Sequence, residues 1–497
     1  MLERFRKWFA GSVFVLLFLI PFLYLHSEPA SPAEPGVIPS RIILTWSGDP
    51  ATTQAVTWRT ATPLQSAQAQ ITKLIADPGF VKEVATIRGT TTTDDLGNGK
   101  LVGHYAAHFT GLEPDTKYCY RVGDGQTWSE WNSFRTAASK AEPFRFIYFG
   151  DAQNNIKSMC SRTFRKAYAT APDARFLVHA GDLVNEGYDD SLWGEWCEAL
   201  GFIGANVPSL PVVGNHDLHR IPGKPDSRLV LSASPLWSHH FALPDNGPDA
   251  EELKSQSYFI DYQGARLVFV DVNAFANEDF EAGARKRIQE KEVEWLNKIL
   301  GNNPNSWTII VQHQAIFSIA KNRNYAEMRA TLAPLYEKNH VDLVLQGHDH
   351  AYGRTHKIAG EQIVDSSAPG IVYAISVCGP KMYTLHDLHR ELMAKTITQS
   401  QFFQVIEVSP DRLLFTAYSV EGSAVDEFEL RKHGMNTTYV DHSKAVPPPS
   451  IAAVPQGRSW RTGLLIPDLW AVLEPWVKGH ESHDIINING LEVSGGQ

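Results

Sequence analysis

A chain of 497 residues is too long for one ordinary hydrophobic core, so several folding units are expected. With 43% hydrophobic and 20% charged residues, its composition is that of a globular protein and not of a disordered one. Lys and Arg total 45 against 55 Asp and Glu, a formal net charge of −10, which argues against a nucleic-acid-binding surface.

The chain opens on Arg4, Arg6 and Lys7, then an uncharged apolar run from Trp8 to Leu25 and a Pro- and Ala-rich stretch. A positive flank ahead of an apolar segment is the pattern of an export signal. The run of 18 residues is just long enough to span a bilayer. Pro21 and the lack of a clean small-x-small site leave two alternatives, a cleaved signal or a retained anchor. The flank would keep this end cytoplasmic and send the rest outward, giving a periplasmic or secreted protein that residues 8–25 can tie to a membrane. Residues 1–38 are therefore assigned to signal or anchor plus linker.

Residues 39–138 carry short alternating runs separated by turn residues, among them Ile42 to Trp46, Thr53 to Trp58 and Tyr118 to Tyr120. This section resembles a fibronectin type III-like β-sandwich. From 139 to 432 the pattern changes. Apolar runs at Phe144–Phe149, Arg175–Ala180, Pro208–Val213, Trp307–Val311 and Val341–Leu345 read as buried strands. Helical patterns at Ile288–Leu300 and Tyr325–Lys338 lie between them, so a doubly wound α/β domain is predicted, with helices on both faces of its sheet. Beyond His433 the rhythm is lost, and 433–497 is set apart as an extension. Cys160 and Cys197 each follow a candidate strand-end loop and are candidates to pair, whereas Cys119 and Cys378 read as buried thiols.

Each apolar run ends in side chains that bind metals: Gly150-Asp151-Ala152-Gln153, Gly181-Asp182, Gly214-Asn215-His216-Asp217, Gln312-His313 and Gly347-His348-Asp349-His350. Strand ends in a doubly wound sheet share one rim, so these segments should converge. On an extended backbone His348 and His350 would leave the strand end together. Carboxylate, amide and imidazole together suit first-row divalent ions.

The series resembles the calcineurin-like metallophosphoesterase superfamily, and within it the purple acid phosphatase-like branch, whose catalytic domain follows a sandwich of this kind. The resemblance implies that Asp182 bridges two metals (Mn, Fe or Zn). Asp151 and His350 would complete one ion's shell, and Asn215, His313 and His348 the other's. His216 would be catalytic, stabilising the transition state or protonating the leaving group. The purple branch places a tyrosinate where Asn185 stands, so a ferric, purple centre is not expected. Relatives outside that branch place a histidine where Gln153 stands, and Gln153 is assigned as the substitute ligand, with Asn185 orienting His216. Asp217, Tyr352 and Arg354 are expected to support the site or meet substrate. His239 and His240 are expected to pack a substrate-side loop, and His179 to be a satisfied core histidine.

The activity implied is hydrolysis of a phosphate monoester by a metal-bridging hydroxide, with a phosphate ester as substrate and no nucleic-acid partner. The alternatives are a phosphodiesterase for cyclic nucleotides or lipid head groups, or a non-catalytic surface binding protein.

Overall fold

The structure is a computed structural model that describes residues 36–96, 99–218, 232–277 and 280–443. The apolar segment 8–25 and the tail from 444 onward lie outside the described residues. Among the described residues no helix is long and apolar enough to cross a membrane.

The first eight strands are β1 (Ser40–Thr45), β2 (Gln54–Thr60), β3 (Gln68–Lys73), β4 (Ala85–Arg88), β5 (Thr90–Asp95), β6 (Leu101–Phe109), β7 (Lys117–Gly123) and β8 (Asn132–Arg135). They form two antiparallel sheets, ordered β1-β2-β6-β5 and β4-β3-β7-β8. Trp58, Tyr105, Phe109, Tyr120 and Phe134 fill the space between them, with Trp58 stacked on Tyr105 at 5.3 Å. This is a sandwich whose inward positions alternate along each strand.

The second domain begins with three parallel strands, β9 (Phe144–Phe149), β10 (Leu177–His179) and β11 (Ser209–Pro211). Then come β12 (Tyr258–Tyr262), β13 (Ala265–Val270), β14 (Trp307–Gln312), β15 (Leu343–Gln346) and β16 (Tyr352–Thr355). A small hairpin, β17 (Ile358–Ala359) and β18 (Gln362–Ile363), precedes β19 (Val372–Ile375) and β20 (Met393–Ile397). The domain closes with β21 (Phe402–Val408), β22 (Arg412–Ser419), β23 (Ala424–His433) and β24 (Asn436–Asp441).

These strands form two seven-stranded sheets, β11-β10-β9-β21-β22-β23-β24 and β12-β13-β14-β15-β19-β16-β20. A single doubly wound sheet is therefore not what forms. The apolar runs have a reason to be continuous, because both of their faces are buried. Leu267, Phe269, Ile309, Val311 and Leu345 join the core that also holds Phe149 and Leu177 of the other sheet. The alternate residues Val268, Val270, Ile310 and Val344 pack with Trp295, Leu296, Met328 and Leu332 of the helices Ala282–Gly301 and Ala326–Lys338. One face thus meets the other sheet and the next residue meets a helix.

Strand β24 pairs with β23 along its length, so the sheet continues past residue 432. The expected Cys160–Cys197 pairing does not occur. Cys160 Sγ lies 3.3 Å from Cys378 Sγ, and all four cysteines are buried free thiols.

The sandwich is tied to the second domain by polar contacts. Tyr120 donates to the Ala205 carbonyl at 2.6 Å, and Thr57 to the His240 carbonyl at 2.6 Å. Asp190 accepts from both Arg41 and Arg59, at 2.6 and 3.1 Å.

Candidate metal centre

Strands of both sheets contribute. Asp151, Asp182, Asn215 and His216 follow β9, β10 and β11 of one sheet, while His313, His348 and His350 follow β14 and β15 of the other. Asp182, His348 and His350 have φ of 50°, 72° and 47°, the left-handed region that costs a non-glycine residue about 1–3 kcal/mol. Glycines make room for the approach. A Cβ on Gly214 would lie 2.2 Å from Asp182 Oδ1, and one on Gly347 would lie 2.5 Å from Asp151 Oδ1.

β15 ends at Gln346, so the two histidines after it sit on a turn and not on extended chain. They diverge as a result. Ligand atoms of Asp182, His313 and His348 lie within 4.8 Å of one another, and so do those of Asp151, Asp182 and His350. Asp182 is common to both groups. Its Oδ2 lies 3.2 Å from His313 Nε2, and His350 Nε2 lies 3.3 Å from Asp151 Oδ2.

Each imidazole has its second nitrogen tied to an acceptor outside the centre. His313 Nδ1 meets the Ala180 carbonyl at 2.7 Å, His348 Nε2 meets Tyr325 Oη at 2.5 Å, and His350 Nδ1 meets the Lys381 carbonyl at 3.0 Å. Anchored this way, His313 Nε2, His348 Nδ1 and His350 Nε2 face inward, His348 Nδ1 standing 3.1 Å from His313 Nε2. Burial, aided by the Arg323 charge beside His348 and the Lys381 charge beside His350, holds both imidazoles well below their ordinary pKa, and so neutral. Burial opposes a charge on His313, yet the Asp182 and Asp151 carboxylates raise it to about 9, so protons compete with cations at this nitrogen.

The donor set fits a pair of divalent cations. Asp151 Oδ2, Gln153 Oε1 and Asn215 Oδ1 are buried oxygens without a hydrogen-bond partner, a costly state that cation binding would relieve. Gln153 Nε2 lies 2.9 Å from Asp182 Oδ2 and 3.0 Å from His350 Nε2. Its amide ends are alike in shape, so a half-turn directs Oε1 at the same spot.

His216 is held twice. Its peptide N–H donates to Asp182 Oδ1 at 2.9 Å, and its Nδ1 meets the Asn185 carbonyl at 2.8 Å. The expected role of the Asn185 side chain is corrected here, because the backbone does the orienting and Asn185 Oδ1 accepts instead from Asn154 at 3.2 Å. Asp217 supports the loops, accepting from Gly214 N at 2.9 Å and Leu183 N at 3.1 Å. Tyr352 and Arg354 do not meet the centre. Both bond Asp426 of β23, Tyr352 Oη at 2.6 Å and Arg354 Nε at 2.7 Å, and both are fully buried.

Sequence reading missed Tyr325, Arg323, Lys381 and Tyr383. Arg323 donates to the His348 carbonyl and lies 4.7 Å over the Tyr383 ring, which meets His350 edge-on at 4.6 Å. None sits in a motif that would flag it, although Tyr325 and Arg323 are polar neighbours just ahead of a helix. The expectation for His239 and His240 is also corrected, since both pack toward the sandwich. His240 stacks on Trp193 and lies 5.9 Å from His104. His179 is buried between Phe149 and Trp196, but its Nε2 has no partner.

Residues 144–352 match the calcineurin-like phosphoesterase family, and residues 39–136 match the N-terminal domain of purple acid phosphatases. The protein is a metal-dependent phosphoesterase of the calcineurin-like class. The sandwich in front is similar to the N-terminal domain of purple acid phosphatases, and the chain resembles that branch of the class. The uncharacterized protein Rv2577 of Mycobacterium tuberculosis is 25% identical over 383 residues, 69% of each chain. Purple acid phosphatase 5 of Arabidopsis thaliana is 22% identical over 258 residues, 50% of this chain and 54% of that one. The fold is similar to purple acid phosphatase PPD1 from yellow lupin (Lupinus luteus) seeds, at a TM-score of 0.65 and 16% identity, covering 80% of this chain and 75% of that one.

Proposed function

We propose that this chain hydrolyses phosphate monoesters at a centre of two divalent cations. The observation that carries this reading is the outward anchoring of His313, His348 and His350, which turns His313 Nε2 to Asp182, His350 Nε2 to Asp151 and His348 Nδ1 to His313 Nε2 at 3.1 Å. Asp151, Gln153, Asp182 and His350 would hold one cation, and Asp182, Asn215, His313 and His348 the other. Mixed oxygen and nitrogen donors suit Mn, Fe or Zn. When bound, such a pair binds phosphoryl oxygens and lowers the pKa of the attacking water.

His216 is steadied by the Asn185 carbonyl, which leaves its Nε2 to give a proton to the departing oxygen. A positioned acid of this kind typically contributes about 10²–10⁴-fold in rate. Asp217 keeps the loops bearing Asp182 and His216 in register through its bonds to Gly214 and Leu183. Arg323 and Lys381, beside His348 and His350, offer positive charge to an anionic ester. The basic flank and apolar run at residues 4–25 support an extracytoplasmic site of action.

The test is reconstitution with Mn²⁺, Fe²⁺ or Zn²⁺, followed by elemental analysis and parallel turnover of aryl monoesters and diesters. Two metal ions per chain and faster monoester turnover are expected. Faster diester turnover would reassign the protein as a phosphodiesterase. Inactivity with every metal would sink the enzymatic reading in favour of a binding protein.

A further inference from the structure

We propose that Asp94, His104 and His239 form a separate divalent-cation site, suited to zinc, that fastens the sandwich to the phosphoesterase domain. Asp94 lies on β5 and His104 on β6. In the pairing of these strands Thr92 stands opposite His104 and Asp94 opposite Val102, so Asp94 and His104 are diagonal neighbours on one face. His239 comes from the other domain, on the helix Pro235–His240. That helix is pinned to β2 by the bond from Thr57 to the His240 carbonyl.

Three donor atoms converge here. Asp94 Oδ2 is 3.4 Å from His104 Nε2 and 2.8 Å from His239 Nδ1, and all three lie within 4.8 Å of one another. Tetrahedral zinc, with bonds of about 2.0–2.2 Å, sets its donors roughly 3.3 Å apart. The Asp94–His104 contact of 3.4 Å already matches, and the Asp94–His239 contact of 2.8 Å needs a small opening. Side-chain exposure is 2% for His104, 12% for His239 and 27% for Asp94, so the open side for a water ligand lies at the carboxylate.

Asp94 Oδ2, His104 Nε2 and His239 Nδ1 are all buried, and the close contacts lack the alignment a hydrogen bond needs. His104 is the telling member, since an imidazole so deeply buried ordinarily finds a partner for its polar atoms. The two rings lie stacked at 4.7 Å, and one nitrogen of each stands within 3.4 Å of Asp94 Oδ2. The nearby cations Arg41 and Arg59 are both engaged by Asp190, which leaves the Asp94 carboxylate to the two imidazoles. Two imidazoles and one carboxylate are a zinc-type set with one position open.

Such a cation would join two domains and steady the path to the catalytic loop. Ser234 N, at the cap of the His239 helix, donates to the Asp217 carbonyl at 3.1 Å, directly after His216. The cation would act as a fastener there, not as a catalyst.

The test compares zinc content of the full chain with that of Asp94→Asn and His239→Asn after equilibration with Zn²⁺ and desalting. Each variant is expected to hold one zinc ion fewer per chain than the wild type, and to lose the part of the thermal midpoint that zinc addition restores. Because the readout is a difference, it stands whatever the occupancy at Asp182. Asp94→Asn is nearly isosteric and sits at the most exposed member, so it carries the test if His239→Asn disturbs folding. As an independent measurement, a chain carrying Asp182→Asn and His313→Asn should still take up Co²⁺ with tetrahedral absorption bands, lost on adding Asp94→Asn. Equal zinc content in all three proteins, or no tetrahedral cobalt in that background, would overturn the assignment.

Discussion

His216 Nδ1 and the main-chain carbonyl oxygen of Asn185 are 2.8 Å apart, and this contact sets the ring of the residue assigned as the leaving-group acid. A backbone acceptor survives any substitution at position 185. Asn185→Ala should therefore reduce turnover by less than about fivefold, while His216→Ala should lose about 10²–10⁴-fold and retain its metals. Steady-state kinetics with elemental analysis of both variants checks the pair. A collapse of activity in Asn185→Ala would show that the side chain, bonded to Asn154, matters more than the carbonyl.

Tyr325 Oη and His348 Nε2 are hydrogen-bonded at 2.5 Å. Removing it frees the ring to rotate or change tautomer. Tyr325→Phe should weaken metal binding about 10–100-fold, the usual effect of losing an outer partner of a metal-bound histidine. Competition with a chromogenic chelator measures it, and unchanged affinity would rule the role out.

Gln153 is the one neutral amide proposed on the Asp151 side, beside two carboxylates and an imidazole. Gln153→Ala should lower occupancy on the Asp151 side, and Gln153→Glu should retain metal better than Gln153→Ala because a carboxylate attracts the cation more strongly. Full occupancy of both positions in Gln153→Ala, by elemental analysis, would end the ligand assignment.

Arg354 pairs with Asp426 across β16 and β23, and neither side chain touches water. Cutting one partner of a buried pair leaves an uncompensated charge, typically at a cost of about 3–5 kcal/mol. Asp426→Ala should fall toward the lower end, because Asp441 still lies 3.3 Å from the guanidinium. Urea unfolding reads the loss. Activity per folded molecule should be preserved, since the pair lies away from the metal centre.

His179 has its pKa lowered to about 3 by burial against an ordinary value of 6.5. The unfolded chain takes up a proton there below about pH 6.5 while the folded chain refuses it down to about pH 3. Within that window each unit of acidification costs on the order of 1.4 kcal/mol of stability. His179→Phe should flatten the acid limb between pH 6 and 4, seen by denaturation at several pH values. An unchanged limb would mean that the ring is protonated in the fold.

The sandwich, the second domain and the series of metal-binding side chains at strand ends were all legible in the sequence. A strand buried on both faces reads as a continuous apolar run, and side chains that ligate metals are of few types, so both leave marks in residue identity. The course of the chain at His348 and His350 left no such mark, and their division between two ions was expected only from the resemblance. Extended chain would have aimed both rings at one place, whereas φ values of 72° and 47° split them between two groups joined by Asp182.

The anchoring contacts were equally hidden. Two of the three imidazole anchors are backbone carbonyls, of Ala180 and Lys381, and His216 uses a third, of Asn185. Every residue carries a carbonyl, so nothing in the chain's letters singles these out. Tyr352 and Arg354 erred in the opposite direction. They continue the motif in sequence, but β16 carries them away to Asp426. Residue identity reveals which chemistry the strand ends offer, through the types of side chain placed there. Which nitrogen faces inward, and which strands of the two stacked sheets meet, depends on backbone direction, and that is settled in the fold and not by residue type.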